Sequence, residues 1–353
     1  MSGPPRMLFI GSDLHGVGGI QRYSSWMIDA LARVGPCETL DLELEPTGGT
    51  PRAKARAAAL ALATWHRSRP QVVVLGHLSF APLAGPQLLR GRPAVAVAYG
   101  IEVWGPSSPF TRGMWRALTQ VWPISSFTAT ELRRIEPGVR VGPVLGGGLD
   151  DSFFTARGPE RDGSGLRIVV VARLDDLAYK GIDTCIEAAE RAASSIDVEL
   201  RVIGDGPARR QLDALVQRRG LTSMVRCLGP LDDDALRREY AEAGVAVSVS
   251  RFRRGDHPQG EGLGIVALEA GAAGVPAIVS SVGGTVDTVI DGTTGVLVPP
   301  GDVDALTRAL VELGRDPARR ARMGRAARAF VREVHGRDAF GARVREAVHG
   351  VVG

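Results

Sequence analysis

Short apolar runs alternate with amphipathic stretches along the whole chain. A short apolar run between turn residues predicts a buried strand, and the longer segments between runs have the length and period of helices. Regular alternation of the two is typical of a parallel sheet with helices on its faces. In the first half the predicted strands are Met7–Ile10, Gln71–Leu75, Ala94–Ala98 and Gln120–Ile124, and the predicted helices lie around Ile20–Val34 and Arg52–Arg67. Pro123 interrupts the last of these runs.

The same pattern begins again in the second half. The predicted strands there are Arg167–Val171, Glu199–Ile203, Val225–Leu228, Val245–Val249, Ala277–Val279 and Gly295–Val298. Between the halves, Thr155–Gly165 is polar and rich in turn residues, which predicts a linker, whereas Asp302–His349 predicts helices. We therefore expect an α/β protein of two doubly wound Rossmann-like domains, residues 1–160 and 161–334, facing a central crevice.

Length and composition agree with two soluble domains. The chain has 353 residues, of which 44% are hydrophobic and 23% charged, and domains of about 150 to 180 residues are the natural expectation. No apolar run approaches the roughly 18 residues that span a bilayer, and the N-terminus lacks a signal-peptide pattern, so we expect a cytoplasmic protein. Cys37, Cys185 and Cys227 are scattered, which argues against disulfides or a metal site and favours burial as small apolar residues.

The chain is mildly basic, with a net charge of +4 and an isoelectric point near 9.3. This charge suits an anionic ligand such as a nucleotide, or contact with an anionic membrane surface. We expect no nucleic-acid partner. Much of the charge is arginine in predicted helices, where a solvated helix face is the simpler explanation. Two basic stretches, Arg52–Arg69 and the arginine-rich C-terminal tail, are candidates for membrane docking.

The most specific motif runs from Glu261 to Glu269 and reads Glu-Gly-Leu-Gly-Ile-Val-Ala-Leu-Glu. Glu261 precedes a glycine-rich turn, and Glu269 lies about one turn into an apolar helix, where a solubilising charge is poorly placed. A buried carboxylate needs hydrogen-bond partners, which ribose or sugar hydroxyls would supply. Backbone N–H groups at the helix start, Gly262–Gly264, suit phosphate oxygens. A structural ion pair is the alternative explanation.

A second motif carries two cations after the first strand of the second half. Arg173 directly follows that strand, and Lys180 lies seven residues further on, beside Gly181. An arginine fork and a mobile lysine charge could converge on one diphosphate. Two surface cations on a loop are the alternative.

Glycine-rich turns follow several predicted strands, at Gly16–Ile20, Gly204–Pro207 and Gly283–Gly284. Such turns let backbone N–H groups approach a phosphate, although a plain tight turn explains each one alone. Asp232–Asp234 reads better as a helix start than as a metal site, and His257 as a solvated loop residue. We expect no metal ligands.

Together these residues resemble the retaining GT-B glycosyltransferases, whose hallmark is two glutamates separated by seven residues. Glu261 and Glu269 match that hallmark, and Arg173 and Lys180 resemble the family's diphosphate-binding cations, one residue further apart than in many members. Two further similarities, in the first half, are the glycine pair Gly18-Gly19 and the serine pair Ser125-Ser126. The resemblance implies the GT-B fold, with residues 335–353 forming a helix that packs back on the N-terminal domain.

The resemblance also implies roles. Glu261 would contact the donor sugar and Glu269 the ribose, while Arg173 and Lys180 would stabilise the leaving diphosphate, without a metal or cofactor. The full donor set is Gly18, Gly19, Tyr99, Gly204, Ser250, Gly262, Leu263, Gly264, Ile265 and Glu269, with Glu261, Arg173 and Lys180 as catalytic residues. The reaction would transfer a hexose with retention, by same-face, substrate-assisted attack, to a lipid, glycan or small-molecule acceptor that the sequence does not identify.

Arg251–Glu269 looks most like the phosphatidylinositol mannoside mannosyltransferases, which use GDP-mannose at the inner membrane face; a UDP-sugar donor is the alternative. One departure is Tyr99, which stands before Gly100 where the family usually has histidine. Tyrosine lacks an imidazole that titrates near neutral pH, which leaves the donor sugar open. The competing hypotheses are a nucleotide-sugar epimerase of the same fold and a catalytically silent sugar-binding homologue.

Overall fold

The computed structural model describes residues 3–16, 18–42, 50–154 and 165–353, so most of the predicted linker lies outside the described residues. The chain divides into two compact units. Unit 1 comprises Met1–Gly148, Arg254–Pro258 and Gly336–Gly353, and unit 2 comprises Leu149–Arg253 and Gln259–His335.

Unit 1 is built on a parallel five-stranded sheet. Its strands are β1 (Met7–Gly11), β2 (Cys37–Asp41), β3 (Val72–Leu75), β4 (Ala94–Ala98) and β5 (Gln120–Pro123), in the order β2-β1-β3-β4-β5. Pro123 is tolerated because β5 is an edge strand, where one side of the ladder needs no donor. The prediction missed β2, because an edge strand reading Cys-Glu-Thr-Leu-Asp has no apolar run.

Helices cover the faces of this sheet. They are α1 (Gly19–Val34), α2 (Pro51–Ser68), α3 (Gly85–Leu88), α4 (Ile101–Trp104), α5 (Pro109–Ala117) and α6 (Ser126–Ile135), with a 3-10 turn at Leu78–Ala84. Side-chain caps begin several of these helices. Ser125, for example, accepts from the Thr128 N–H at 3.2 Å at the start of α6, which satisfies a donor that the helix leaves open.

Unit 2 contains a parallel six-stranded sheet. Its strands are β6 (Gly165–Val171), β7 (Asp197–Ile203), β8 (Val225–Gly229), β9 (Val245–Ser248), β10 (Ala277–Ser280) and β11 (Gly295–Val298), in the order β11-β10-β9-β6-β7-β8. Read within the unit, the order is 3-2-1-4-5-6, which is the arrangement of doubly wound dinucleotide-binding domains. The direction of winding therefore reverses between β6 and β9.

The helices of unit 2 are α7 (Leu177–Lys180), α8 (Ile182–Ala192), α9 (Arg209–Arg218), α10 (Asp233–Glu242), α11 (Ile265–Ala272), α12 (Val303–Arg315) and α13 (Pro317–Phe330), followed by a π-helical turn at Val331–His335. Asp232 caps α10 by accepting from the Ala235 N–H at 2.7 Å, which confirms that the aspartate run is a helix start. Cys185 is buried in this unit, while Cys37 and Cys227 are only half-buried.

The last helix, α14 (Arg337–Val352), belongs to unit 1. It packs on α1, with Phe340 edge-on to Tyr23 at 5.6 Å between ring centres, and Arg337 donates to Asp29 at 2.9 Å. Where the chain passes from one unit to the other, the Leu149 N–H donates to the His335 carbonyl at 2.8 Å. Among the described residues, no helix has both the length and the apolarity needed to cross a membrane.

Candidate active site

The topology of unit 2 indicates one edge of its sheet as the place to look for a ligand site. In doubly wound sheets, ligands bind beyond the carboxyl ends of the strands where the winding reverses. That point lies between β6 and β9, which are neighbours in the sheet. The segment between β6 and α8 carries Arg173 and, at the end of α7, Lys180, and the loop after β9 leads to Glu261. Both predicted motifs therefore leave the sheet at the place where this fold binds its ligand.

Lys180 and Glu261 meet at this edge. The Lys180 ammonium lies 3.2 Å from a Glu261 carboxylate oxygen, with side-chain exposures of 17% and 26%. Tyr179 steadies the pair, because its hydroxyl donates to the Gly260 carbonyl at 2.7 Å. Burial by itself lowers the pKa of Lys180, but the Glu261 carboxylate and the Tyr179 hydroxyl outweigh it and raise the pKa above its ordinary value. Lys180 therefore stays protonated and supplies a positive charge rather than acting as a base.

Gly181, which follows Lys180, packs closely against the backbone at the end of β9. Its φ of +69° is a left-handed conformation that favours glycine, and a Cβ there would collide with the Val249 carbonyl. The Arg251 N–H donates to the Tyr179 carbonyl at 2.8 Å. Backbone packing between two loops thus fixes the position of Lys180.

Arg173 is held differently. Its side chain is 80% exposed and donates to the Asp175 carboxylate, so in this structure the two predicted diphosphate cations have separate partners. Gly204 supports the Arg173 loop, because a Cβ at that position would collide with the Ala172 carbonyl. The predicted donor-binding glycine therefore has a packing reason of its own.

The glycines around Glu261 also serve close packing. The Gly284 N–H donates to the Glu261 carbonyl at 2.7 Å, and a Cβ on Gly284 would collide with the Gly262 carbonyl. Gly264, with φ +88°, directly precedes α11. Two glycine turns pressed against each other therefore shape the loop that presents Glu261.

Two predicted donor residues flank this loop, Leu263 and Ser250, and both are buried. Ile265, which begins α11, is partly exposed. The Ser250 carbonyl accepts from the Ser280 hydroxyl at 2.7 Å, which ties the end of β9 to β10.

Glu269 has a different environment from Glu261. It is only 4% exposed, and one of its carboxylate oxygens accepts from the Tyr240 hydroxyl at 3.0 Å. The two glutamates of the motif thus accept from different donors, Glu261 from Lys180 and Glu269 from Tyr240. No motif pointed to Tyr240, because it lies 29 residues before Glu269 on another helix.

In unit 1, the predicted glycine pair lies at the start of α1, which begins at Gly19. The turn that precedes it is held by Asp41, whose two carboxylate oxygens accept from the N–H groups of Asp13 and Leu14, each at 2.8 Å. Asp41 ends β2, so missing that strand also meant missing this residue.

Tyr99 lies in the turn after β4 and is buried. Glu102 holds that turn, accepting from the Tyr99 N–H at 2.8 Å and the Gly100 N–H at 3.0 Å. The Tyr99 ring stacks on His77, 5.7 Å between ring centres, and the His77 Nε2 lies 3.8 Å from Glu102. Burial raises the pKa of Tyr99 well above its ordinary value, so the hydroxyl stays neutral. An imidazole thus lies beside the tyrosine that replaces the family's histidine.

The arginines before the motif have structural partners. Arg251 pairs with Asp183 at 3.0 Å. Arg254 makes a bidentate ion pair with Glu131, with hydrogen bonds of 2.7 and 2.8 Å, and both of these residues belong to unit 1.

Comparison with known proteins identifies the family. Residues 155–330 match the family described as Glycosyl transferases group 1. The GDP-mannose-dependent alpha-(1-6)-phosphatidylinositol monomannoside mannosyltransferase of Mycolicibacterium smegmatis is 34% identical over 286 residues, which are 76% of this chain and 74% of that protein. The chain belongs to the group 1 glycosyltransferases. A related mannosyltransferase of Corynebacterium glutamicum, described as acting on the monoacylated monomannoside, is 34% identical over 67% of this chain and 65% of its own length.

Solved structures confirm the fold of this glycosyltransferase. Sucrose-phosphate synthase from Thermosynechococcus elongatus superposes with a TM-score of 0.80 at 22% identity, covering 98% of each chain. Anabaena HepE, solved with UDP and glucose, gives 0.75 at 18% identity, covering 98% of this chain and 100% of its own. The predicted α/β class and GT-B fold are confirmed, and so is the predicted enzyme class.

Proposed function

We propose that this glycosyltransferase transfers a hexose from a nucleotide-sugar donor with retention of configuration, and that unit 2 binds the donor between the ends of β6 and β9. The Lys180–Glu261 pair is the observation that carries this proposal. It sets the Lys180 cation beside the Glu261 carboxylate at the edge of the sheet where doubly wound folds bind their ligands. Lys180 suits a diphosphate, and Glu261 suits sugar hydroxyls.

Arg173 would join Lys180 when the donor binds. Its present partner, Asp175, forms an exposed ion pair, and such pairs contribute about 0 to 1 kcal/mol. The guanidinium can therefore turn to a phosphate at little cost. With two cations on the diphosphate, we expect no metal requirement. Charge stabilisation of a leaving group is often the largest single contribution to catalysis.

The proposed chemistry needs no protein nucleophile. The acceptor hydroxyl attacks the anomeric carbon on the face from which the diphosphate leaves. The bond between the anomeric carbon and the diphosphate oxygen breaks, and the proton of the acceptor hydroxyl passes to the departing phosphate. Glu261 is paired with Lys180 and is better suited to positioning the sugar than to attacking it. The nucleotide-sugar epimerase alternative loses support from the family assignment, whereas a silent homologue is still an alternative that experiment must address.

For the donor we propose GDP-mannose, because relatives at 34% identity are named as GDP-mannose-dependent. Release of free nucleotide should be measured for GDP-mannose, GDP-glucose, UDP-glucose and UDP-N-acetylglucosamine, with and without phosphatidylinositol mannosides. Faster release from GDP-mannose than from the others, with the anomeric product identified by NMR, would support the proposal. No release from any donor would favour the silent homologue, and an inverted product would contradict retention.

We propose that Tyr99, a residue of unit 1, adjusts donor choice. Replacing Tyr99 with histidine restores the usual family residue. We expect the ratio of kcat/KM between GDP-mannose and UDP-glucose to change by about tenfold or more, since a single good polar contact is worth roughly 1.4 kcal/mol or more. An unchanged ratio with a folded variant would remove Tyr99 from donor selection.

We further propose a lipid acceptor and peripheral association with an anionic membrane through α2. This helix contains no acidic residue, and its first two turns carry exposed Arg52, Lys54 and Arg56. Cations near a helix N-terminus are disfavoured by the helix dipole, so they do not serve helix stability. Leu60 and Leu62 are 40% and 44% exposed, and apolar residues with cations on one helix suit a membrane interface.

The C-terminal tail fits this role less well. Its arginines include several with partners inside the protein: Arg319 with Glu312, Arg320 with the Leu313 carbonyl, Arg328 with the Phe154 carbonyl, Arg337 with Asp29 and Arg343 with the Leu145 carbonyl. These five arginines of the predicted basic tail are thus committed to the fold.

Vesicle co-sedimentation can separate the two basic segments. A variant with Arg52, Lys54 and Arg56 changed to glutamine should lose binding to vesicles containing anionic phosphatidylinositol in low salt. The matched control changes three exposed tail arginines to glutamine, Arg322, Arg325 and Arg345, with the same loss of charge, and should still bind. Equal losses would indicate net charge alone, and background binding by the unaltered protein would exclude docking.

A further inference from the structure

Tyr240 stands out as a polar group enclosed in the core of unit 2. The residue lies on α10 and is fully buried, with its ring in the apolar cluster that includes Val169, Leu236 and Ala267. Its hydroxyl is the one hydrogen-bonding atom of the side chain, and it points at Glu269 on α11, 3.0 Å from the carboxylate. The core thus fixes the direction of a single O–H donor.

The hydroxyl has one hydrogen to donate, and a carboxylate and a backbone carbonyl lie near it. The Glu269 carboxylate is at 3.0 Å, and the Val266 carbonyl is at 3.4 Å. The usual range for such an O–H···O bond is about 2.5 to 3.0 Å, so the hydrogen goes to the carboxylate. The ring cannot turn away without leaving the core, and Glu269 therefore keeps one orientation before any ligand arrives.

We propose that Tyr240 is a positioning residue, which orients the Glu269 carboxylate to accept the hydroxyls of the donor ribose. The inference rests on the proposed function, in which unit 2 binds the nucleotide of the donor, and extends it to Glu269, whose buried carboxylate suits the hydroxyl donors of the ribose. A glutamate has several rotatable bonds, and fixing them before binding removes an entropic cost that the ligand would otherwise bear. A merely structural Tyr240 would tie α10 to α11 and leave ribose recognition unaffected.

The two roles can be separated with paired ligands. Calorimetry should measure binding of GDP and UDP, and then of the 2′,3′-dideoxy form of whichever binds more tightly. In the unaltered protein, loss of the ribose hydroxyls should weaken binding about tenfold or more, as expected for hydrogen bonds to a charged group. In Tyr240→Phe, which keeps the ring and removes the oxygen, this ratio should fall to about threefold or less. Glu269→Gln should lower the ratio similarly, and the double variant should lower it no further.

A control addresses general loosening of the unit. Thr288→Val removes another buried hydroxyl of unit 2, which donates to the Thr285 carbonyl at 2.6 Å, and it should leave the ratio unchanged. If the unaltered protein binds neither GDP nor UDP, the proposed function fails, and this inference fails with it. If it distinguishes the paired ligands and Tyr240→Phe keeps the full ratio, the inference alone is overturned. If Tyr240→Phe does not fold, an unchanged ratio in Glu269→Gln overturns it.

Discussion

The pairing of Lys180 with Glu261 leads to a prediction that separates catalysis from stability. Two unit charges 3.2 Å apart attract by about 5 kcal/mol at an effective dielectric constant of about 20. The cost of removing both groups from water cancels most of that gain, so we expect a net contribution to folding of only about 1 kcal/mol. Lys180→Met leaves the Glu261 carboxylate without its cation, but that side chain is 26% exposed to water, so the variant should lose less stability than the roughly 3 to 5 kcal/mol of a fully buried pair.

The effect on turnover should be far larger. If Lys180 stabilises charge that develops on the departing diphosphate, its loss should lower kcat by about 10²- to 10³-fold, equivalent to about 3 to 4 kcal/mol. Steady-state nucleotide release gives kcat and KM, and urea denaturation of the same preparation gives the free energy of unfolding. The change should fall mainly on kcat, because the interaction strengthens as the bond breaks.

A matched control removes a different cation of unit 2. Arg191 pairs with Asp304 at 2.6 Å, with side-chain exposures of 49% and 72%, and lies on α8. Arg191→Met should change the net charge by the same amount and leave kcat unaltered. If Lys180→Met keeps kcat within about threefold of the unaltered enzyme, less than 1 kcal/mol in barrier height, the proposed location of the diphosphate is wrong.

Two further predictions concern stability and loop geometry. The hydrogen bonds from Arg254 hold the pKa of Glu131 below its ordinary value, so this carboxylate stabilises the fold above the unfolded-state pKa of about 4.3, and the contribution is lost as pH falls through the lower folded-state value. Urea denaturation between pH 7 and pH 3 should show a smaller acid-induced loss for Glu131→Gln; an unchanged slope would contradict this. Gly284→Ala forces a Cβ onto the Gly262 carbonyl and should destabilise by about 1 to 3 kcal/mol and raise the donor KM. Gly341→Ala, a helical site with open space around it, is the control, and equal effects of the two would refute the reasoning.

The local pattern of apolar residues was sufficient to predict most strands of the two sheets. The strand at Ala94–Ala98 was predicted with its observed ends, because a buried parallel strand is an uninterrupted apolar run. The strand at Cys37–Asp41 was missed because it is polar and half-buried at the edge. Residues that depended on it were missed as well, and Asp41 is the example: its role depends on which strand lies beside β1.

Site contacts were harder to predict because they join distant parts of the chain. Lys180 and Glu261 are 81 residues apart and meet only because β6 and β9 are neighbours, which the order of elements along the sequence does not determine. The glycines were correctly predicted to lie in turns, but the reason for glycine at these positions differs from the predicted approach of a phosphate. Gly204 and Gly284 lie where another backbone segment leaves no room for a Cβ, and spacing alone cannot show that second segment.

The two motif glutamates differ physically in a way that bears on their proposed roles. Glu261 lies on a loop, is 26% exposed and has a charged partner, so a ligand can compete for its carboxylate by offering hydroxyl donors while Lys180 turns to a phosphate. Glu269 lies inside a helix, 4% exposed, and receives a neutral donor from a fixed ring. A carboxylate that is buried and held in this way cannot follow the sugar as it moves during the reaction. We therefore expect substitution at Glu261 to act mainly on kcat, since the sugar changes during reaction, and substitution at Glu269 to act mainly on KM, since the ribose does not. The opposite division in Glu261→Gln and Glu269→Gln would exchange the proposed roles of the two residues.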